Sequence, residues 1–226
     1  MLRLIFDLLF PKICFGCGQS GSYLCKRCFK EQTKINFQQK CHICSKECRI
    51  GLVHRDCAEL SFLDGLVYVI AYDGVVKKMI YEAKYNQYFA ILEDISGIMS
   101  EYLKFYKLNF EYDLTFVPMH KKKKSRRGFN QSELLAKHIG RKLNQRCENL
   151  LRKIVSTKSQ MGQGKEGRAE NLKGAFEISR NIQIPENVVI VDDVYTTGAT
   201  LNECAKVLKM AGCNAVFGFV FAKSRA

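Results

Sequence analysis

Cysteine pairs near the amino terminus constrain the fold of this chain more than any other feature. Eight of its 11 cysteines lie between residues 14 and 57, mostly as Cys-x-x-Cys pairs, and His54-x-x-Cys57 repeats the gap. At this spacing two thiolates can hold one metal ion from a tight turn, and four such ligands bind Zn²⁺ tetrahedrally. Residues 1–60 are therefore predicted to form a small double zinc-ribbon domain that zinc stabilises.

The metal ligands are assigned in sequence order. The first zinc ion is expected on Cys14, Cys17, Cys25 and Cys28. The second is expected on Cys41, Cys44, Cys57 and either His54 or Cys48, with His54 preferred because it repeats the two-residue gap. A cross-braced arrangement, mixing the first pair with the third, stays open. Four filled positions leave no place for a reactive water, so a structural role is favoured over a redox or catalytic one.

After residue 60, strand and helix patterns alternate. β-Branched and aromatic runs predict strands at residues 66–72, 114–117, 175–178, 188–191 and 215–221. Helical periodicity predicts helices at residues 75–83, 89–106, 131–143 and 201–208, the third capped by Asn130 with Glu133 completing a capping-box-like pair. A polar, glycine-bearing stretch over residues 152–171 predicts a mobile loop. We expect an α/β domain over residues 61–226, with a parallel sheet, flanking helices and its ligand at the carboxyl ends of the strands.

The end of one predicted strand carries the most informative chemistry. The apolar residues 188–191 lead into two adjacent carboxylates, Asp192 and Asp193. A short loop then runs into a helix amino terminus through Thr196, Thr197, Gly198, Ala199 and Thr200. Such a loop offers backbone N–H groups, hydroxyls and a helix dipole to a phosphate. Because the carboxylates can accept hydrogen bonds from ribose hydroxyls, the pattern predicts a ribose 5-phosphate site.

Positive charge is concentrated in one part of the chain. The formal net charge is +14, and residues 111–180 hold 17 Lys and Arg against 7 Asp and Glu, a local net charge of +10. Residues 121–127 contain six cations in seven positions. This run is expected to clamp pyrophosphate, to bind nucleic-acid backbone nonspecifically, or both. His120 is expected to be structural or to contact phosphate rather than to act as a general base.

Two of these motifs resemble known families. Residues 188–200 resemble the phosphoribosyl pyrophosphate (PRPP) motif of type I phosphoribosyltransferases, with Tyr195 where an aliphatic residue is usual. The Arg-Gly-Phe-Asn-Gln block at residues 127–131 resembles the ComF family of competence proteins, which join an amino-terminal double zinc ribbon to a phosphoribosyltransferase-like domain. Further matches are Thr157, Gln160, Arg168, Asn171 and residues 174–176.

The resemblance implies roles for individual residues. Asp192, Asp193 and Arg168 are expected at the reacting centre, with Arg168 closing over it and Mg²⁺ bound with PRPP. The PRPP contacts are expected from Pro118, His120, Arg126, Arg127, Thr196, Thr197, Gly198, Ala199 and Thr200. Lys121, Lys122, Lys123 and Lys124 are expected to bind single-stranded DNA.

The resemblance also implies a biological role. It is support for natural transformation, with uptake and processing of incoming single-stranded DNA alongside a competence helicase and recombination-mediator proteins. The alternative is an active phosphoribosyltransferase of nucleotide or cofactor metabolism with an unknown acceptor. No uncharged run approaches the roughly 18 residues that cross a bilayer, and no export signal is found, so a cytoplasmic protein is expected.

Overall fold

The alternation of strands and helices produces a parallel sheet with helices against both faces. A computed structural model describes residues 11–86, 89–106, 108, 110–156 and 172–224 of the chain. The described strands are β1 (Gly65–Ala71), β2 (Asp113–Phe116), β3 (Leu151–Lys153), β4 (Phe176–Ile178), β5 (Asn187–Tyr195) and β6 (Ala215–Lys223). The described α-helices are α1 (Lys26–Gln32), α2 (Gly74–Tyr85), α3 (Phe89–Tyr106), α4 (Lys121–Arg127), α5 (Gln131–Leu143) and α6 (Ala199–Met210), and short 3-10 helices span Arg49–Gly51 and Arg55–Leu60.

Four of these strands form the main sheet, in the order β1-β6-β5-β2, and each neighbouring pair runs parallel. The register places Val189 of β5 opposite Phe217 of β6, and Thr115 of β2 opposite Ile190. Residues 188–191 are fully buried, as expected of a strand covered on both faces. The strands predicted at residues 66–72, 114–117, 188–191 and 215–221 are thereby confirmed.

Side chains of β5 alternate between two hydrophobic cores. Val189 and Val191 pack in the core that includes the apolar faces of α2, α3 and α5, whereas Val188 and Ile190 pack in the core that includes α6. The stripe predicted on α6 is buried as expected, through Leu201, Cys204, Ala205 and Leu208. Helices therefore cover both faces of a parallel sheet, which confirms the predicted fold class. None of the described helices has the length and apolar character needed to cross a bilayer.

The cysteine-rich segment packs against β1 at the edge of the sheet. An isolated antiparallel bridge joins Leu52 with Gly65. Farther along, the side-chain amide of Gln39 donates to the carbonyl oxygen of Tyr68 at 2.9 Å and to the hydroxyl of Tyr102 at 2.7 Å. These contacts fix the segment against the α/β part of the chain. The division into two domains at residue 60 stays a prediction.

Two segments for which the sequence predicted no helix or strand have regular structure. The cationic run at residues 121–127 forms helix α4, because His120 Nδ1 accepts from the backbone N–H of Lys122 at 3.3 Å and Gly128 ends the helix at a φ of 85°. The expected mobile loop begins with strand β3, which pairs antiparallel with β4, outside the main sheet. Residues 157–171 of that expected loop lie outside the described residues.

The amino terminus of α5 is capped as predicted in one respect and differs in another. The Asn130 side chain accepts from the backbone N–H of Ser132 at 3.2 Å, which confirms the cap. Glu133, however, is bound by the ammonium groups of Lys124 at 2.6 Å and Lys137 at 2.7 Å. Charged donors make the stronger hydrogen bonds, so they hold this carboxylate in place of the expected capping box.

Candidate functional site

A cavity of about 320 Å³ opens where the carboxyl ends of β2 and β5 meet. This edge of a parallel sheet is where α/β folds bind their ligands. The predicted site residues that line it are Pro118, His120, Asp192, Asp193, Thr196 and Thr200. The structure therefore brings residues from two distant parts of the sequence to one space, which we call the carboxylate cavity.

Asp192 and Asp193 lie within β5, because the strand continues to Tyr195 rather than ending at residue 191. The Lys84 ammonium is 2.7 Å from Asp193 Oδ2. Asp192 Oδ1 accepts from the Ser132 hydroxyl at 2.6 Å and from the backbone N–H of Asp193 at 2.9 Å. Burial raises the pKa of Asp192 to about 7, and the adjacent Asp193 charge adds to the effect. Such a pair is suited to hydroxyl donors or a cation, either of which stabilises the ionised form.

Three lysines from different elements line the cavity together with these carboxylates: Lys84 of α2, Lys123 of α4 and Lys153 of β3. Burial lowers the pKa of Lys123, and the charges of Arg127 and Lys84 lower it further. Burial likewise lowers the pKa of Lys153, with the Lys123 charge as the next cause. A bound anion would relieve this repulsion. The described lining thus holds three ammonium groups for two carboxylates, a balance that suits an anionic ligand.

The loop after β5 turns sharply into α6 at Gly198, which has a φ of 81°. A Cβ at this position would lie 2.2 Å from the hydroxyl oxygen of Tyr195, so only glycine fits. The Thr197 hydroxyl accepts from the backbone N–H of Ala199 at 3.4 Å, which turns it toward the start of the helix. Thr196 and Thr200, at the two ends of the loop, line the cavity. Residues 196–200 are called the phosphate loop below.

Helix formation distributes the side chains of the cationic run in different directions. Lys123 faces the carboxylate cavity, while Lys124 pairs with Glu133. Arg127 donates to Gln131 Oε1 at 2.8 Å and lies over the ring of Tyr85 at 5.4 Å. Lys121 and Lys122 are exposed.

The cations predicted to contact PRPP are therefore not the ones that line the cavity. Arg126 and Arg127 are not among the described residues that line the cavity, whereas Lys123, assigned to nucleic acid, is. Arg168, Thr157, Gln160 and Asn171 lie outside the described residues, so their assignments stay predictions.

Three further members of the site were not predicted from the sequence: Lys84, Ser132 and Lys153. For Lys84 a signal existed, since it follows the buried residues Met79, Ile80 and Ala83 on the apolar face of α2. A lysine on a buried helix face needs a partner, and an unpaired acid elsewhere in the chain is a candidate. For Ser132 and Lys153 the sequence holds no comparable signal, because only the packing of α5 and β3 brings them to the cavity.

The first group of predicted metal ligands comes together as assigned. The sulfur atoms of Cys14, Cys17, Cys25 and Cys28 lie within 4.8 Å of one another. Backbone N–H groups also face the sulfurs, with Cys25 N donating to Cys14 Sγ at 3.3 Å and Cys28 N to Cys25 Sγ at 3.5 Å. Four mutually close thiols on tight turns are a donor set that fits tetrahedral Zn²⁺.

The second group contains His54 rather than Cys48. Ligand atoms of Cys41, Cys44, His54 and Cys57 lie within 4.8 Å of one another. His54 Nδ1 is 3.2 Å from Cys44 Sγ, while its Nε2 is 3.0 Å from the carbonyl oxygen of Glu47. A backbone acceptor for Nε2–H leaves Nδ1 free to bind metal, as in many zinc sites. The ligands group in sequence order, and the cross-braced alternative is not adopted. We call this set the second cluster.

Known proteins were compared with the chain. No family model matches it. Competence protein ComFC of Streptococcus pneumoniae is 27% identical over 215 residues, which cover 92% of this chain and 86% of that protein. Competence protein F of Haemophilus influenzae is 38% identical over 99 residues, 42% of this chain and 43% of that protein. DNA utilization protein YhgH of Escherichia coli strain K12 is 38% identical over 101 residues, 44% of each chain.

The chain is similar to competence proteins of the ComF family along most of its length. The order of its parts also agrees with this resemblance, since two groups of metal-ligand residues precede a parallel sheet with helices on both faces. Among solved structures, adenine phosphoribosyl transferase from Trypanosoma brucei aligns at a TM-score of 0.40 and 16% identity, over 70% of this chain and 83% of that one. The allosteric regulatory enzyme of purine biosynthesis aligns at 0.40 and 17% identity, over 57% of this chain and 26% of that one.

Proposed function

We propose that this chain, which resembles the ComF family, binds PRPP with Mg²⁺ in the carboxylate cavity. The observation that carries the proposal is the meeting of Asp192 and Asp193 with the phosphate loop in one space. Separately, a carboxylate pair or a threonine-rich turn would fit many ligands. Together, they offer acceptors for a diol and donors for a phosphate in the same cavity.

Each part of the cavity has a role in this proposal. Asp192 and Asp193 accept hydrogen bonds from the ribose hydroxyls, and the phosphate loop receives the 5-phosphate at the amino terminus of α6. Lys123 and Lys153 face the pyrophosphate, where their mutual repulsion is replaced by attraction to the anion. The two carboxylates are also the described groups that would hold Mg²⁺, which supplies neutralising charge to the pyrophosphate when bound.

A thermal unfolding assay tests this binding. PRPP with Mg²⁺ at 100 times its Kd should stabilise the wild type by about 2.7 kcal/mol, or roughly 5–10 °C in Tm. The double variant Asp192→Asn/Asp193→Asn should show no shift, and Thr197→Val should show a reduced one. A matched control is Glu111→Gln/Glu186→Gln, which removes two exposed carboxylates that closely precede the amino ends of β2 and β5, whereas the cavity opens at the carboxyl ends of these strands. An equal shift in the double Asn variant would contradict the proposed site.

We further propose that the exposed face of α4 binds single-stranded DNA in support of natural transformation, as the names of the relatives imply for those proteins. Lys121 and Lys122 are exposed on this helix, and they belong to the segment with a net charge of +10. A competence helicase and recombination-mediator proteins are the partners that this role proposes. When Lys121→Gln/Lys122→Gln is used to test DNA binding, a suitable control is Lys77→Gln/Lys104→Gln, which removes two lysines from helices α2 and α3.

A second candidate function is phosphoribosyl transfer to an unknown acceptor. It is favoured by a neighbouring cavity of about 410 Å³ that shares Pro118, Met119, His120, Asn130 and Lys153 with the first. An acceptor there would displace pyrophosphate from C1 of PRPP, with the protein contributing positioning and charge neutralisation. Release of labelled pyrophosphate in the presence of a panel of bases and amines tests this. Absence of release alongside tight PRPP binding favours the binding function.

A further inference from the structure

A series of side-chain contacts connects the second cluster with the phosphate loop. Two of its ligands are close in sequence to residues that make these contacts: His42 follows Cys41, and Ser61 follows the 3-10 helix that carries Cys57. His42 Nε2 is 3.0 Å from Ser61 Oγ. A chain of contacts therefore begins at the metal ligands and leads toward the candidate site.

Asn202, in the first turn of α6, is the next residue in this series of contacts after Ser61. Its Oδ1 accepts from the Ser61 hydroxyl at 3.0 Å and from the backbone N–H of Phe62 at 2.7 Å. The backbone N–H of Asn202 in turn donates to the carbonyl oxygen of Gly198 at 2.9 Å. The turn after Cys57 is thus bonded to the helix that begins in the phosphate loop.

Tyr195 forms a second connection on the other side of the loop. Its ring meets the ring of His42 edge to face, with centroids 6.1 Å apart and an interplanar angle of 70°. Its hydroxyl is in close contact with Gly198, where no Cβ could fit. Tyr195 is also 93% buried, so a displaced His42 would leave it without part of its packing.

The first group of ligands has no such connection among the described contacts. It is flanked by Lys12, which pairs with Asp94 of α3 at 3.8 Å, and by Phe15, which stacks on Tyr23. These residues belong to the side of the sheet covered by α2, α3 and α5. The two metal groups are therefore expected to differ in their effect on the carboxylate cavity.

We propose that the second cluster, when it holds metal, positions the phosphate loop through Ser61, His42 and Tyr195, so that its loss weakens anion binding in the carboxylate cavity. The inference rests on the proposed function for the identity of the anion. Binding is tightest when the receiving groups are already held in place, because less ordering is then needed. Ser61 is the central positioning residue, since its hydroxyl contacts both His42 and Asn202.

Substitutions of Ser61 in the full chain test the positioning without touching a metal ligand. Ser61→Ala removes the hydroxyl, whereas Ser61→Thr keeps it, and the extended backbone of Ser61 (φ −152°, ψ 141°) accepts a β-branched residue. We expect Ser61→Ala to retain wild-type zinc content, to weaken PRPP and Mg²⁺ binding by calorimetry about five- to tenfold, the effect of one lost hydrogen bond, and to speed amide exchange at residues 196–202. Ser61→Thr should restore both. Unchanged exchange and affinity in Ser61→Ala would overturn the proposal.

Matched metal-ligand variants provide the second test. Cys17→Ser and Cys44→Ser each remove the second cysteine of a Cys-x-x-Cys pair, in the first group and the second cluster respectively. Only Cys44→Ser should speed exchange at residues 196–202, and equal effects would overturn the proposal. If Cys44→Ser does not fold, the comparison of Ser61→Ala with Ser61→Thr decides whether the proposal holds. If wild type binds no PRPP, the proposed function fails, but the exchange measurement still tests whether the cluster positions the loop.

Discussion

The raised pKa of Asp192 leads to a prediction about stability against pH. In the folded chain this pKa is about 7, against an ordinary value of 3.8. Because folding raises it, the protonated form is the one that folding favours. The contribution of this group to stability is therefore fully present below about pH 4 and is lost as pH rises through 7. At pH 8 the ionised Asp192 opposes folding.

The substitution Asp192→Asn isolates this effect. The Asn side chain keeps the Oδ1 that accepts from Ser132 and from the backbone N–H of Asp193, but it carries no charge. A difference of about 3 pKa units corresponds to at most about 4 kcal/mol at 1.4 kcal/mol per unit. Asp192 is only partly buried and faces an open cavity, so solvent screening reduces the expected gain to about 1–2 kcal/mol at pH 8.

Thermal and urea unfolding between pH 4 and pH 8 check this prediction. At pH 8 the Asp192→Asn variant should unfold roughly 2–8 °C above the wild type, and the difference should vanish near pH 4. The same variant should lose PRPP binding, because the charge that destabilises the empty site is the one proposed to bind the ligand. A variant that is less stable than the wild type at pH 8, or a difference that does not depend on pH, would refute the reasoning.

Three further predictions concern metal, charge and the loop. Elemental analysis should find about two zinc ions per chain, and Cys25→Ser should lose one and destabilise the amino-terminal segment; less than one ion in the wild type would contradict the two-site assignment. Lys121→Gln/Lys122→Gln should lower the slope of log affinity against log salt for single-stranded DNA by up to about 1.4, at roughly 0.7 per contact; an unchanged slope would place the DNA elsewhere. Gly198→Ala should lower the free energy of unfolding by more than about 1 kcal/mol, because a Cβ there meets Tyr195; wild-type stability in denaturant would contradict this.

Much of the fold was predictable because it depends on local patterns. Continuous apolar runs located the strands of the main sheet, and the stripe from Leu201 to Leu208 located α6. The metal groups were predictable for a similar reason, since both use ligands that are near one another in sequence. Even the choice of His54 over Cys48 followed from repeated spacing.

The rest depends on contacts between distant segments. Lys84 reaches Asp193 only because the fold brings the last turn of α2 to the carboxyl end of β5, and the pattern of charges within α2 does not reveal this partner. The four lysines of the cationic run were expected to bind nucleic acid together, but helix α4 places Lys123 at the cavity and Lys124 beside Glu133. The direction of each side chain follows from the helix and its cap at His120, which the composition of the run does not indicate.

Isothermal titration of the full chain with PRPP and Mg²⁺ tests the central claim most directly. The wild type should bind one PRPP per chain, while Asp192→Asn/Asp193→Asn should give no measurable heat of binding and Glu111→Gln/Glu186→Gln should match the wild type. Measured at pH 6 in buffers of different ionisation enthalpy, binding should also release protons, because Asp192 with a pKa of about 7 must ionise to accept the ligand. Equal binding by the wild type and the double Asn variant, or no binding by either, would contradict the account.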